Sequence, residues 1–569
     1  MNIQKQARQF LPENLVITGF EVIEPYFQDL LNRNISTQED FQDWLRDRSE
    51  LDAVLEEDAA WRYIRMSIDT QDDALRAAYT QFVTEIQPQL APLDDQLNQK
   101  LVAQPFMDAL NDTAHQIYFR SVKSALALFK EENISIEAAL NEEAQQFGAI
   151  SAAQSILHDG KELTMQQASQ LLKEQDPALR QEVFEKIVER RRQDRQALDT
   201  LYSSLIQKRQ QLAQNAGFEN FRDYKFEAMG RFDYTKEDCF AFHNAIQKHI
   251  VPLVKEIQQE KLTKLGQDKF KPWDLEVDPD GKAALKPFQN GAEMLQGTIE
   301  LFDQIDPYFG DCLRTMDQLG HLDLDSKPGK APGGYNYPLY EIGVPFIFMN
   351  AVGAQRDLET MVHEGGHAIH SFLSRDLALT AFKNLPSEVA ELASMSMELL
   401  SMPNWAVFYP NPTDHKRAMR EQLEGTLKVL PWIAQIDAFQ HWVYENPNHS
   451  LEERSQQWLK LSRDFGTGLT DWSGYEDQTE SAWQKQLHLF EVPFYYIEYG
   501  IAQLGALGVW KNSLENYPLA IENYKNALSL GYTKSLPEIY QTAGVPFDFS
   551  ENRLQELAQF IQIELKKLH

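Results

Sequence analysis

The chain has 569 residues, of which 43% are hydrophobic and 24% are charged, a balance that excludes extensive disorder. Glycine and proline, with 27 and 25 residues, are scarcer than in an average protein, which favours long helices over a β-sandwich or propeller. The net charge of −31 repels phosphate backbones and anionic lipid headgroups, so we expect neither nucleic-acid binding nor a membrane-surface role.

Cysteine usage and the distribution of apolar residues indicate the compartment. Cys239 and Cys312 are the two cysteines of the chain, which is too few for a disulfide framework or a four-cysteine zinc site. The first ten residues, MNIQKQARQF, lack the apolar stretch of a signal peptide, and no window holds 18 consecutive apolar residues. We therefore expect a cytoplasmic protein.

Helical signals dominate the first half of the chain. Residues 36–39 (STQE) have the pattern of a capping box and predict the start of a helix. Apolar residues recur at spacings of three and four through 72–135, which predicts further helices. The dipeptide Asp159-Gly160 between two apolar segments favours a short hairpin.

The second half combines one short β region with a long helical one. Gly, Pro, Asp and Lys cluster at 265–295, which predicts an exposed excursion between helices. A second break at 327–334 precedes YNYPLYEIGVPFIFMN (335–350), whose aromatic and β-branched content predicts a small hairpin. The helical pattern resumes near residue 355 and continues almost to the end, so we predict a mainly α fold.

The chemistry-bearing motif lies at 361–370, MVHEGGHAIH, which contains H-E-x-x-H at His363, Glu364 and His367. Residues i and i+4 lie on one face of a helix, so the two imidazoles can converge on one metal ion. Glu364 is rotated by about 100° from His363 around the helix, so its carboxylate can reach a water molecule at the metal instead of the metal. The spacing therefore predicts a zinc site with a general base.

The residues around the motif support a helix that is buried in the protein. Apolar residues recur at helical intervals on both sides of the motif. Gly365 and Gly366 are unusual there, because each costs about 1 kcal/mol relative to Ala in a helix interior. The pair predicts that a strand or a substrate approaches this backbone closely.

A tetrahedral catalytic zinc needs a third protein ligand. Glu391 and Glu398, in the helical segment 386–400, are seven residues apart on one face, and the spacing alone does not choose between them. His370 is a third candidate, but three residues after His367 on the same helix it has a poor angle for another ligand.

At this point the sequence resembles a known family, the oligoendopeptidase F branch of the thimet-oligopeptidase-like zinc metallopeptidases. The resemblance extends over nearly the whole chain and is carried by these segments: DAAWRYIRMSIDT (58–70), GKAPGGY (329–335), GVPFIFMN (343–350), DLETMVHEGGHAIHSFL (357–373), SEVAELASMSMELL (387–400) and PEIYQTAGVPF (537–547).

The resemblance implies roles for further residues. The family places its third metal ligand a little under thirty residues after the first histidine, which corresponds to Glu391. Related gluzincin peptidases have a histidine and a tyrosine that donate hydrogen bonds to the oxyanion, which implies His488 and Tyr499, with Tyr496 one turn before. Met395 stands where a carboxylate often supports a ligand histidine, so Glu398 and Asp357 are the candidates for that role.

The resemblance also implies an activity and an architecture. It implies a large helical body with a deep internal channel and a small hairpin or sheet beside the HExxH helix, with 1–190 as a helical region covering the channel and 191–569 as the zinc peptidase region. One Zn²⁺ per chain would serve hydrolysis of internal bonds in short unfolded oligopeptides. Such an enzyme would degrade peptides in the cytoplasm as a monomer or a small homo-oligomer.

Two alternatives remain open at the level of the sequence. The same zinc core could serve a dipeptidyl carboxypeptidase or carboxypeptidase, and an inactive helical protein could simply bind peptides. In the endopeptidase hypothesis the hairpin around 343–350 aligns the peptide by main-chain pairing at an exposed strand edge. The candidates for substrate binding are Gly333, Gly334, Tyr335, Gly343 and Phe346.

Overall fold

The computed structural model describes residues 1, 3 and 5–568, which are mainly helical. Its α-helices and β-strands in chain order are α1 Phe20–Asn32, α2 Gln38–Ile68, α3 Asp73–Gln81, α4 Gln87–Val102, α5 Thr113–Leu128, α6 Ile134–Ala152, β1 Ser155–His158, β2 Lys161–Thr164, α7 Met165–Leu171, α8 Pro177–Asn215, α9 Phe221–Ala228, α10 Lys236–Ala245, α11 Val251–Leu265, α12 Gly291–Ile305, α13 Pro307–Leu319, β3 Leu322–Asp325, β4 Tyr335–Tyr337, β5 Phe346–Ala351, α14 Gln355–Ser374, α15 Ser387–Ser401, α16 Pro412–Glu445, α17 Leu451–Asp464, α18 Glu476–Glu480, α19 Leu487–Glu491, α20 Ile497–Glu515, α21 Tyr517–Leu528, α22 Leu536–Thr542 and α23 Glu551–Lys567.

The described residues fold into two compact units, each built from three separate segments. Unit 1 comprises 1–127, 285–419 and 502–547, and unit 2 comprises 128–284, 420–501 and 548–569. The predicted regions 1–190 and 191–569 follow the chain, whereas these units do not, and residue 190 lies inside helix α8. Sequence patterns mark where elements begin and end, but not which distant segments pack together.

The N-terminal helices form an apolar cluster of unit 1, as the helical periodicity predicts. Trp44 is fully buried in this cluster, and its indole N–H donates to the Leu30 carbonyl at 2.9 Å. The predicted capping box lies one residue further along the chain. Thr37 is the N-cap of α2, and Asp40 accepts from its backbone N–H while donating its own backbone N–H to the Thr37 hydroxyl.

A three-stranded sheet in unit 1 contains the predicted hairpin. β4 and β5 pair antiparallel, with Tyr335 opposite Phe348 and Tyr337 opposite Phe346. β3 pairs with the other edge of β5 in parallel orientation, so the strand order is β3-β5-β4. One face packs on α2 through Ala60 and Ile64. The sequence analysis predicted the hairpin but missed the third strand, because LDLD is too short to give an alternating pattern.

Unit 2 contains the second predicted hairpin and a long loop that is less exposed than predicted. β1 and β2 pair antiparallel across Asp159 and Gly160, as predicted. The segment from residue 266 to 290 has no helix, but it is not exposed throughout. Phe270 is 1% exposed and bridges to Thr470, and Asp274 forms a buried ion pair with Arg180 at 2.7 Å. Polar composition identified this loop but not the few side chains that anchor it.

Within the described part of the chain, no helix combines the length and the apolar character that crossing a bilayer requires.

Candidate metal centre

Helix α14 presents the two motif histidines on one face, as the i, i+4 spacing requires. The rings of His363 and His367 have centroids 5.0 Å apart and lie nearly perpendicular, at 85°. Asp357 lies in the first turn of the helix, and its carboxylate accepts from the backbone N–H of Val352 and Ala354 at 2.8 and 2.9 Å. Asp357 therefore caps the helix, and the support for a ligand histidine comes from another residue.

Helix α15 packs against α14 and brings Glu391 to the two histidines. Glu391 Oε2 lies 3.4 Å from His363 Nε2 and 3.8 Å from His367 Nε2. The Ser394 hydroxyl donates to the same oxygen at 3.0 Å, and Glu391 is 6% exposed. These contacts hold the carboxylate among the imidazoles.

The donor set fits a zinc ion. Two imidazole nitrogens and one carboxylate oxygen lie within 4.8 Å of one another. Bonds of about 2.0–2.2 Å in tetrahedral geometry separate the donor atoms by about 3.3–3.6 Å, close to the spacing of Glu391 from both histidines. Three protein ligands leave one position free, as in catalytic zinc sites.

The structure also resolves the choice between the two glutamates. Glu398 Oε1 lies 2.6 Å from His363 Nδ1, the ring nitrogen that faces away from Glu391. A carboxylate in this position fixes the ring so that Nε2 is available to a metal. Burial opposes protonation of His363, but the Glu398 hydrogen bond and the Glu391 charge raise its pKa to about 9. Glu391 is therefore the ligand candidate, and Glu398 orients His363.

We expect Glu398→Ala to weaken zinc binding by about 10–100-fold, the usual effect of losing such an orienting partner. The ring of His363 would lose its acceptor at Nδ1, while the three donor residues remain. Competition with a chromophoric chelator would measure the affinity. Glu398→Gln keeps an oxygen acceptor and should recover part of the loss. Unchanged affinity in Glu398→Ala would contradict the assigned role.

Glu364 follows His363 in α14 and is not one of the three donor residues. It is 7% exposed, and burial raises the pKa of its carboxyl to about 7, with His363 opposing the shift and Glu391 adding to it. The Asn336 amide of β4 donates to the Glu364 carbonyl at 3.3 Å. A carboxyl with a pKa near neutrality can both accept and return a proton. No sequence pattern indicates the role of Asn336, because nothing in a three-residue strand points to a bond with a distant helix.

The glycine pair of the motif has a structural explanation that differs from the predicted one. A Cβ at Gly366 would lie 2.7 Å from Ser394 Cα and 2.8 Å from the Ala393 carbonyl oxygen of α15. A Cβ at Gly365 would lie 2.6 Å from the Phe302 ring of α12. Neither a strand nor a substrate is the close neighbour. The two glycines let α12 and α15 approach α14, which brings Glu391 within reach of the histidines.

His370 is not part of the donor set. Its side chain is 1% exposed in α14, and neither ring nitrogen has a hydrogen-bond partner among the described residues. Burial lowers its pKa to about 3. The predicted poor angle for a ligand agrees with this position.

The buried His370 predicts an acid-sensitive fold. The folded state keeps the ring neutral down to about pH 3, whereas the unfolded chain protonates it below about 6.5. The unfolded state thus binds more protons in this window, and stability falls as the pH falls through it, by at most about 1.4 kcal/mol per pH unit. His370→Leu should flatten the slope of the unfolding free energy between pH 6 and 4, measured with chelator present. Equal slopes for both proteins would refute this.

Three predicted catalytic residues, His488, Tyr496 and Tyr499, lie together in unit 2. The His488 ring is 4.7 Å from the ring of Tyr496 and 5.9 Å from that of Tyr499, and the two tyrosine rings are 5.6 Å apart. Burial raises the pKa of Tyr496, so its hydroxyl keeps its proton at neutral pH. Each of the three side chains can therefore donate a hydrogen bond.

The hydrogen bonds of His488 fix its tautomer. The Trp432 indole donates to Gln486 Oε1 at 2.9 Å, and the Gln486 amide nitrogen lies 2.7 Å from His488 Nδ1. Because an indole N–H can only donate, the Gln486 amide nitrogen donates to Nδ1, and the ring proton is on Nε2. Burial lowers the pKa of His488 to about 4, so this neutral donor persists at neutral pH. No sequence pattern indicates Trp432, which lies 54 residues before Gln486.

The chain matches the models of a known protein family over most of its length. The model of peptidase family M3 matches residues 170–559, and the model of the peptidase M3 N-terminal domain matches 10–129. The chain belongs to peptidase family M3. The predicted oligoendopeptidase F resemblance and the mainly α fold are both confirmed.

Individual relatives of this M3 chain are distant in sequence and close in fold. Oligopeptidase PepF of Bacillus subtilis is 22% identical over 72% of the chain and 62% of its own length. An oligoendopeptidase F homolog of Borreliella burgdorferi is 22% identical over 70% of the chain and 66% of its own length. The chain thus aligns with just under two thirds of these two relatives' lengths. A solved structure of PZ peptidase A with an inhibitor is 27% identical, with a TM-score of 0.89, over 98% of this chain and 99% of its own.

The predicted substrate-binding residues of the M3 chain fall into two groups. Phe346 is 2% exposed and packs against Trp61, and Gly343, at φ +68°, lies in a turn against Arg375. Phe346 is part of the sheet, and Gly343 is part of the loop that connects β4 to β5. Gly333 has open space around its Cα, and Gly334 lies between the Phe348 carbonyl and Thr360 of α14.

The expected exposed edge at 343–350 is a wrong prediction. β5 is the central strand, and its backbone pairs with β3 on one side and β4 on the other. The strand that ends the sheet beside α14 is β4, which includes Tyr335. The Tyr335 ring stacks on Phe348 and its hydroxyl contacts Ser67 at 2.7 Å, so only its backbone is left for a ligand. The apolar run of β5 is typical of a strand that is buried on both faces, as a central strand often is.

Proposed function

We propose that this chain is a zinc-dependent oligoendopeptidase that hydrolyses internal bonds of short unfolded peptides. One observation carries the proposal: Glu391 Oε2 lies 3.4 and 3.8 Å from the Nε2 atoms of two motif histidines, with the buried Glu364 carboxyl next to them. The M3 family match and the printed names of the relatives, oligopeptidase and oligoendopeptidase F, support the reaction class.

His363, His367 and Glu391 would hold one Zn²⁺. When bound, the ion polarises the scissile carbonyl and makes a water molecule more acidic. Glu398 keeps the His363 ring in place, and the Ser394 hydroxyl does the same for Glu391. These contacts exist before substrate arrives, so the donor set needs little reorganisation.

Glu364 carries the proton in this mechanism. Its carboxylate accepts a proton from the attacking water and passes it to the leaving nitrogen as the peptide bond breaks. Burial raises the pKa of this carboxyl, which favours its return to the protonated form before it passes the proton to the leaving nitrogen. The Asn336 bond to the Glu364 carbonyl ties this residue to β4.

Hydrogen-bond donors for the developing oxyanion remain part of the proposal. The family resemblance assigns this role to His488 and Tyr499, with Tyr496 beside them, and the neutral Nε2–H of His488 suits it. Such donors each contribute about 10²–10³-fold when they are aimed at the charge that develops.

Main-chain pairing at β4 would align the peptide. β4 is an end strand of the sheet, and it precedes β5 in the same antiparallel hairpin. An extended peptide added to such an edge gains backbone hydrogen bonds that do not depend on its side chains. Recognition at Gly333, Gly334 and Tyr335 would therefore accept many peptide sequences.

A pool of peptides of graded length, blocked at both ends, tests the proposal. Mass spectrometry should find internal cuts in the shorter peptides, abolished by a chelator and restored by Zn²⁺. Cuts only in peptides with a free C-terminus would replace the proposal with the carboxypeptidase alternative. Peptide binding with zinc present and no products would replace it with a binding protein.

A further inference from the structure

Two helices of unit 2 carry a second set of metal-binding side chains. Cys239 and His243 are four residues apart on α10, and Asp437 and His441 are four residues apart on α16. Residues at i and i+4 share one helix face, so each helix offers two donor side chains to its neighbour. Facing helices that each contribute such residues are a common way to build a metal site in a helical protein.

The four side chains meet in the interior of the unit. One ligand atom each of Cys239, Asp437 and His441 lies within 4.8 Å of the other two. His441 Nε2 is 3.3 Å from Asp437 Oδ2, and His243 Nε2 is 2.7 Å from the same oxygen. Cys239, Asp437 and His441 are 1%, 0% and 2% exposed.

Polar atoms of this cluster lack hydrogen bonds. Neither ring nitrogen of His441 has a hydrogen-bond partner among the described residues, and neither does Asp437 Oδ1. The 3.3 Å approach of His441 to Asp437 lacks hydrogen-bond geometry. Buried polar atoms without partners cost free energy, and each in a native structure calls for an explanation, such as an ion that binds there.

The surroundings of His441 offer aromatic rings in place of polar partners. Its ring lies 4.9 Å from that of Phe240, 5.4 Å from that of Phe494 and 5.9 Å from that of Phe226. The nearby Arg231 guanidinium pairs with Glu498 at 2.7 Å. The His243 ring, 5.8 Å from that of His441, is already bonded to Asp437, so among the described residues Cys239 and Asp437 are the groups with which His441 can share a ligand.

We propose that Cys239 Sγ, the Asp437 carboxylate and a ring nitrogen of His441 bind a second zinc ion. His243 donates to Asp437 and orients it, as carboxylate–histidine contacts do around other metal sites. A thiolate with imidazole and carboxylate suits Zn²⁺, whereas Ca²⁺ and Mg²⁺ prefer oxygen ligands only. One thiolate and one carboxylate neutralise a divalent ion, so the buried cluster would carry no net charge.

The proposal does not depend on the peptidase assignment. The HExxH donors belong to unit 1 and contain no sulfur, whereas the second set belongs to unit 2 and contains Cys239. A ligand that forms a metal–thiolate bond therefore reports on the second site alone. The fourth coordination position is left for water, as in other sites with three protein ligands.

Cobalt substitution tests the second site. Metal-free full-length protein is loaded with Co²⁺, and the near-ultraviolet thiolate-to-cobalt charge-transfer band is recorded. We expect the band in the wild type and in Cys312→Ser, a matched control because Cys312 is the other buried cysteine. Cys239→Ser should abolish it. A wild type without the band, or a band that persists in folded Cys239→Ser, would overturn the proposal.

Zinc counting provides an independent readout. We expect about two zinc ions per chain in the wild type and about one in either His363→Ala/His367→Ala or Cys239→Ser. A wild type that binds one ion, lost entirely in His363→Ala/His367→Ala, would also overturn the second site. The wild-type spectrum and count are decisive even where Cys239→Ser fails to fold.

Discussion

Glu364→Gln is expected to lower the rate of peptide hydrolysis by about 10²–10⁴-fold while zinc stays bound. The amide keeps the size of the side chain but cannot take a proton, so the loss is that of general-base catalysis. The metal donors are other residues, His363, His367 and Glu391, and they keep their contacts. The measurements are kcat for a blocked peptide and the zinc content of the same sample.

A second buried carboxylate of α14 serves as the matched control. Glu359 is 9% exposed and bonds to Gln355 at 3.1 Å and Arg356 at 3.2 Å, outside the metal donor set. Glu359→Gln should retain most of the activity. Normal turnover by Glu364→Gln would remove the proposed base, and an equal loss in both variants would mean that burial of a charge, not proton transfer, is what the site needs.

Gly366→Ala is expected to destabilise the fold and weaken zinc binding together. The new Cβ would lie 2.7 Å from Ser394 Cα, and because this neighbour is backbone, α14 and α15 must move apart. Overpacking of this kind costs about 1–3 kcal/mol. Glu391 is three residues before Ser394 on α15, so the same movement takes the proposed third ligand away from His363 and His367.

The matched control for this prediction is Gly425→Ala in α16. A Cβ at Gly425 meets no atom within 4 Å, so the substitution should stabilise by about 1 kcal/mol through helix propensity alone. Urea unfolding measures the stability of each variant, and zinc titration measures its affinity for the metal. We expect Gly366→Ala to be less stable and Gly425→Ala to be more stable than the wild type. A stabilised Gly366→Ala with unchanged zinc affinity would show that the close approach of the two helices is not required.

The prediction of the metal centre from sequence rested on features that are local in the chain. H-E-x-x-H on a helix determines that His363 and His367 share a face and that Glu364 does not, since helix geometry alone fixes these directions. Glu391 was different, because spacing left Glu398 equally possible. The contact between α14 and α15 decided it, by placing Glu391 at Nε2 and Glu398 at Nδ1 of one ring.

Sequence patterns failed where the answer depended on packing between distant segments. The hairpin at 335–351 followed from local composition, but β5 became a central strand because β3, more than twenty residues earlier, pairs with it. The glycine pair was recognised as unusual, yet its neighbours are Phe302 and α15 instead of a strand or substrate.

The helical class of this M3 chain, its H-E-x-x-H motif and its family followed from the sequence. These depend on residue periodicity and on spacing along one helix, which the chain fixes locally. Only the tertiary structure shows the division into two units, the positions of Glu391 and Glu398 at the two ring nitrogens of His363, and the meeting of Cys239 with Asp437 and His441. Those features join residues that are far apart in the chain, such as Cys239 and His441, and only packing of the apolar faces brings such residues together.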